Sequence, residues 1–124
     1  MNLNQVTLPV LNVEKSITFY QKLGLRLIVK SLPDYARFEC VSGQSSFSLH
    51  RVDSINTNND TWIYFEVDTL DDTVNKLIDS GFKFNELPND KPWLWRESRL
   101  TDLDGNQIIL YFAGDNRLNP PWRI

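Results

Sequence analysis

QVTLPVLNVEKSITFYQKLGL at residues 5–25 and WIYFEVDTLDDTVNKLIDSGF at residues 62–82 are two copies of one pattern, laid over each other at an offset of 57 without a gap. Val10 falls on Val67, Val13 on Leu70, Ile17 on Val74 and Gly24 on Gly81. Each copy reads as a strand, a polar turn, a short amphipathic helix and a glycine stop. Downstream, each copy carries a hairpin turn, at residues 40–43 in the first and 102–105 in the second. A duplicated unit implies two similar half-sheets, and the cleft between them is the natural place for a ligand.

Residues 6–10 read as the first strand, and Asn12 as the cap of a helix lined by Val13, Ile17, Tyr20 and Leu23. Residues 25–29, 35–41 and 46–51 read as three further strands, with turns at Pro33-Asp34 and Ser42-Gly43. The second copy opens with a strand at 61–67. Thr69, with Asp72 three residues on, marks a helix start close to a capping box, and Leu70, Val74, Leu77 and Ile78 form that helix's apolar face. Strands at 82–84, 94–100 and 107–112 complete the copy. The reading is one domain over 1–124: module one at 1–52, an Asn-rich linker at 53–60, module two at 61–113, and a tail at 114–124 that is neither helix nor strand.

Composition bounds the function. The chain has 124 residues, enough for one domain with a sizeable core, with 41% apolar and 23% charged residues. A net charge of −3 argues against nucleic acid as a partner, because phosphate binding needs a basic face. No stretch approaches about 20 apolar residues, so no membrane partner is expected. The N-terminus has neither the basic start nor the apolar run of a signal peptide. With Cys40 alone there is no internal disulfide, and a cytoplasmic location is the expectation.

The order β-α-β-β-β, twice, with the turn Asp102-Leu103-Asp104-Gly105-Asn106 before a last apolar strand, resembles the glyoxalase/bleomycin-resistance/extradiol-dioxygenase superfamily, the vicinal oxygen chelate proteins. The opening residues 3–25, with the strand Val-Thr-Leu-Pro-Val and the helix Ser-Ile-Thr-Phe-Tyr, look like the start of that family, and the resemblance covers nearly the whole chain. It implies an α+β fold: two βαβββ modules forming a cupped, partly closed mixed sheet with helices outside. It implies a homodimer too, as do the open sheet edges.

The resemblance also implies a divalent metal, held from the first and fourth strands of each copy. Projected residue by residue, those positions are Gln5, Ser48, Trp62 and Ile109. Such a metal needs about three donors of the His or Glu kind. Trp62 and Ile109 cannot coordinate, and Ser48 is a poor ligand. Gln5 alone can serve, so no metal or other cofactor is expected.

Side chains two apart on a strand share a face. The cup is therefore read as lined by Gln5, Thr7 and Pro9; by Tyr35, Arg37 and Glu39; by Ser46, Ser48 and His50; by Trp62, Tyr64 and Glu66; by Trp93, Trp95, Glu97 and Arg99; and by Gln107, Ile109 and Tyr111. Arg37 and Arg99 occupy matching points, each six residues before a turn glycine, Gly43 or Gly105. Aromatic walls with a few charges suit a small organic ligand, which is the partner expected. The ligand-binding candidates are Gln5, Arg37, Glu39, Ser48, Trp62, Tyr64, Trp95, Arg99, Ile109 and Tyr111. The glutamates suit a cation, and the arginine forks suit a carboxylate or phosphate.

Structural alternatives stand beside these. Arg37 with Glu39, and Glu97 with Arg99, are also placed to pair with each other. The single histidine, His50, is either a hydrogen-bonded structural residue or a general base. Cys40 reads as a buried, inert thiol and Trp122 as an edge cover. Three functions follow: a metal-free protein binding a small organic ligand; a glyoxalase-like lyase or isomerase of a small oxygenated acid, with or without a divalent metal, with His50 and Glu97 as catalytic groups; or a purely structural or regulatory module.

Overall fold

The computed structural model describes every residue except Thr57, so the 53–60 linker reading lies partly outside the described residues. The protein is α+β, two βαβββ modules each built on a mixed four-stranded sheet, with one helix per module. The chain forms two compact units: Met1–Asn59 with Asp102–Asp104, and Asp60–Thr101 with Gly105–Ile124.

In the first unit, β1 (Gln5–Val10) leads through α1 (Val13–Leu23) to β2 (Arg26–Ser31), β3 (Tyr35–Glu39) and β4 (Ser46–Arg51). The sheet order is β1-β4-β3-β2, with β1 parallel to β4 and the other pairs antiparallel. Pro9 is tolerated because β1 is an edge strand. Asn12 caps α1 as its sequence suggests, its Oδ1 accepting the Lys15 N–H at 3.0 Å. Gly24 closes the helix at φ 120°, a backbone shape that side-chain-bearing residues rarely adopt. Leu8, Val10, Ala36, Phe38, Phe47 and Leu49 face Val13, Ile17 and Tyr20 in the core.

Tyr20 is fully buried, its ring 4.7 Å from that of Phe47. Its hydroxyl donates to Asp102 Oδ2 at 2.5 Å. Burial and the neighbouring Asp102 charge push the phenol far above its ordinary value, so it stays a donor. Asp102 Oδ1 in turn accepts the Asp104 N–H at 2.9 Å, and Asp104 Oδ1 accepts the Leu11 N–H at 3.0 Å.

The second unit runs β5 (Trp62–Glu66), α2 (Leu70–Asp79), β6 (Glu86–Asp90), β7 (Arg96–Thr101) and β8 (Gln107–Phe112), ordered β5-β8-β7-β6 with β5 parallel to β8. The helices begin at Val13 and Leu70, in keeping with the offset of the repeat. Helix α2 lies against β8 and buries Leu70, Val74 and Leu77.

Several local expectations change. Thr69 precedes α2 but its side chain makes no capping bond; Asp71 and Asp72 in the first turn favour the helix start by charge instead. The sixth strand is not 82–84 but the polar ELPND of β6, because the Phe82 N–H is used to close α2 on the Leu77 carbonyl at 3.0 Å. The seventh begins at Arg96 rather than at residue 94, since Leu94 lies in a turn. Strand β3 ends at Glu39, which leaves Cys40 half-buried rather than buried, its thiol pushed up by that burial. The tail holds a short 3-10 turn at Gly114–Arg117.

Tyr20→Phe removes a hydrogen bond to a buried carboxylate, a loss of about 1.5–3 kcal/mol. Urea unfolding is expected to show that fall in stability with an unchanged slope; a variant as stable as the parent would deny the bond this weight.

Candidate functional site

Each sheet has one face against its helix and one turned away from it. On the turned-away face of the first unit, Gln5 donates through Nε2 to Ser48 Oγ at 2.7 Å and accepts from Ser46 Oγ through its carbonyl. Ser48, fully buried, also bonds the Tyr35 hydroxyl at 2.8 Å, and Arg37 Nε donates to that same hydroxyl at 2.9 Å. Burial opposes it, but the bonds with Ser48 and Arg37 hold the Tyr35 phenol below its ordinary value. The suggested Arg37–Glu39 pair does not form. Glu39 takes Arg26 Nη1 at 2.7 Å, because β2 pairs Arg26 directly opposite it. His50, next to last in β4, is exposed, with no side-chain hydrogen bond among the described residues.

The corresponding face of the second unit is aromatic. Trp95 stacks on Tyr111 with ring centroids 4.8 Å apart, and Tyr64 stands edge-on to both at 6.0 and 5.5 Å. Ile109 and Tyr111 are buried there with Ala113, and Trp95 packs against them. Burial first, then the charges of Glu97 on Tyr64 and Glu66 on Tyr111, raises both phenols. Trp62 is half-exposed, with the Arg99 guanidinium 4.4 Å above its ring, a cation–π contact. Glu66 is occupied elsewhere: its Oε1 accepts the N–H groups of Ala113 and Gly114 at 3.0 and 2.9 Å and so anchors the tail.

Glu97 is the buried charge of this face, with 1% of its side chain exposed. Oε1 accepts Trp93 Nε1–H at 2.8 Å. Oε2 lies 3.9 Å from Arg99 Nη2 and has no hydrogen-bond partner; nor has Arg99 Nε, 3.5 Å from Glu86 Oε2. Parity thus puts Glu97 and Arg99 on one face, and the structure adds Glu86 as a second carboxylate beside Arg99. Glu86 also accepts from Lys91 and from Asn89, the latter at 2.7 Å. Lys91 sits 5.9 Å from the Trp93 ring. Nothing in the sequence marks Glu86 or Lys91, because the polar strand β6 and the turn that follows it carry no alternation.

Trp93 is delivered by a tight turn. The Leu94 N–H bonds the Lys91 carbonyl at 3.0 Å, and the Lys91 N–H bonds the Trp95 carbonyl at 2.8 Å. Pro92 at the second position suits this turn. Leu94 has φ 67°, the left-handed region that strains any residue with a Cβ.

The four projected metal positions do not suit a metal. Gln5 has both amide atoms engaged, Ser48 is bonded twice, Trp62 lies under Arg99, and Ile109 is apolar and buried. Among the described residues, no group of three or more His, Cys, Asp or Glu is placed to hold a metal ion.

A protein with two βαβββ modules and this site geometry falls in a definite class. Residues 2–110 match the family model of the Glyoxalase/Bleomycin resistance protein/Dioxygenase superfamily, and the chain belongs to that superfamily. It is 31% identical to a trivalent organoarsenical cleaving enzyme of Bacillus sp. (strain MD1), over 98% of this chain and 81% of the relative. It is 30% identical to a probable trivalent organoarsenical cleaving enzyme of Bacillus subtilis (strain 168), over 86% of this chain and 77% of the relative. The crystal structure of a glyoxalase/bleomycin resistance protein/dioxygenase from Nocardioides shares the fold with a TM-score of 0.79 at 20% identity, covering 100% of this chain and 89% of that one. Among the described residues, no helix is long and apolar enough to cross a membrane.

Leu94→Gly is expected to raise stability by about 0.5–1 kcal/mol, relief of left-handed strain outweighing the added freedom of the unfolded chain. A lower urea midpoint would contradict it. The Lys91 hydrogen bond, helped by Asn89, holds the Glu86 carboxyl below its ordinary 4.5. Its contribution to stability is therefore present above that pH and lost as pH falls through the lower folded value. Lys91→Ala is expected to shrink the loss of stability as the pH falls below 4.5; an unchanged acid limb would count against the pair.

Proposed function

We propose that this chain binds a small, flat organic molecule on the aromatic face of its second unit, by stacking and polar contact rather than by chelation to a metal. The observation that carries this reading is the cluster of Trp95, Tyr111 and Tyr64 beside a half-exposed Trp62, with Glu97 and Arg99 on the same face. Aromatic walls with few polar groups bind planar organic compounds by burial and ring contact. The unsuitable donors at the projected metal positions, Gln5, Ser48, Trp62 and Ile109, support binding over metal-assisted catalysis.

A second reading is cleavage of a trivalent organoarsenical, supported by the likeness to the two Bacillus proteins of that name. It draws less support from this chain's own residues. Trivalent arsenic is a soft centre that favours thiolates, and Cys40 is the single cysteine.

Titration with 2-naphthol, followed by the indole N–H resonances of the four tryptophans, tests the first reading. Shifts at Trp62 and Trp95 are expected. Trp62→Ala, a substitution at an exposed position, is expected to weaken binding about two- to tenfold, the value of one ring contact. Indole resonances left unmoved by 2-naphthol and by its carboxamide, carboxylate and amidine analogues would end the reading. Release of inorganic arsenite from phenylarsine oxide by the protein would favour the second.

A further inference from the structure

Two buried polar atoms on the second unit's aromatic face lack hydrogen-bond partners, and they are complementary. Glu97 Oε2 accepts and Arg99 Nε donates. Buried polar atoms are nearly always satisfied, so an unsatisfied pair beside an aromatic cluster calls for a physical reason. The charges around them balance. Glu86 and Glu97 stand against Lys91 and Arg99, linked as Lys91–Glu86, Glu86–Arg99 and Arg99–Glu97. A ligand with a net charge would leave one unopposed charge in a partly buried site. A neutral group that presents an N–H donor next to a carbonyl acceptor would leave the balance intact and satisfy both atoms.

We infer that the ligand of this face carries an uncharged carboxamide-type group, its N–H donated to Glu97 Oε2 and its carbonyl oxygen accepting from Arg99 Nε, next to an aromatic ring that stacks on the tryptophans. The inference rests on the small-molecule reading above and narrows its chemistry. The two half-exposed indoles flank the pair, Trp62 against Arg99 and Trp93 against Glu97. Both must give way to admit the group, since the two atoms lie beneath the surface. The strained turn at Leu94 holds Trp93 in that position.

The test is a series of three compounds of one shape: 2-naphthamide, 2-naphthoate and 2-naphthamidine, neutral, anionic and cationic at pH 7. Binding to the full chain is read from the indole resonances, Trp93 Nε1–H above all because it bonds Glu97. The expected result is that 2-naphthamide binds at least tenfold tighter than either charged analogue and moves Trp93. Glu97→Gln, which removes one negative charge while keeping an acceptor for Trp93, is expected to shift the preference toward 2-naphthoate. Equal affinities, or tighter binding of the amidine or the carboxylate by the parent chain, would overturn the inference while binding of 2-naphthol left the broader reading standing. If neither 2-naphthol nor any of the three binds, both fall.

Discussion

The parallel pairing of first and last strands within each module governs this fold. Parallel neighbours cannot be joined by a tight turn, so the chain must cross over before it returns. Here the crossover carries a helix, α1 for the β1–β4 pair and α2 for the β5–β8 pair. A helix on one side of a four-stranded sheet leaves the other side to be dressed by the alternate residues of the same strands. The side left free of the helix is thus set by the same pairing that closes the core.

The two modules dress that side differently. In the first, Gln5, Ser46, Ser48 and Tyr35 satisfy one another in a hydrogen-bonded patch, and Arg37 leans on Tyr35. In the second, Tyr64, Trp95 and Tyr111 form an aromatic cluster around a buried glutamate. Strand β8 consequently has consecutive buried residues, Ile108 to Tyr111, although only one of its sides meets a helix. One half of the repeat satisfies its own polar groups, and the other keeps an aromatic surface with unspent polar atoms.

Much of this was legible in the sequence where periodicity leaves a mark. The helix starts, the glycine stops and the alternation that puts Trp62, Glu97 and Arg99 on one face follow from spacing alone. The polar strand β6 was illegible because an edge strand with Pro88 and a register shift between Glu86 and Asn89 has no apolar face to repeat. Leucine favours helix and strand interiors, so nothing marked Leu94 as a left-handed turn residue. Partner choice was hidden too. Glu39 had Arg37 two residues away in sequence but Arg26 across the ladder, and Glu66 found the backbone of Ala113 and Gly114 some forty-seven residues on. Such choices depend on register and chain path.

The turn Asp102–Asp104 belongs with Met1–Asn59 in space, though it is made long after them. During synthesis the chain emerges from its N-terminus, and domains begin to form as they appear. Here α1 and its sheet emerge with the Tyr20 hydroxyl still lacking Asp102 and the Leu11 amide still lacking Asp104. The first module therefore leaves the ribosome with its core unfinished, and it is sealed only when the last hairpin arrives. Order of manufacture and order of completion run in opposite directions along this chain.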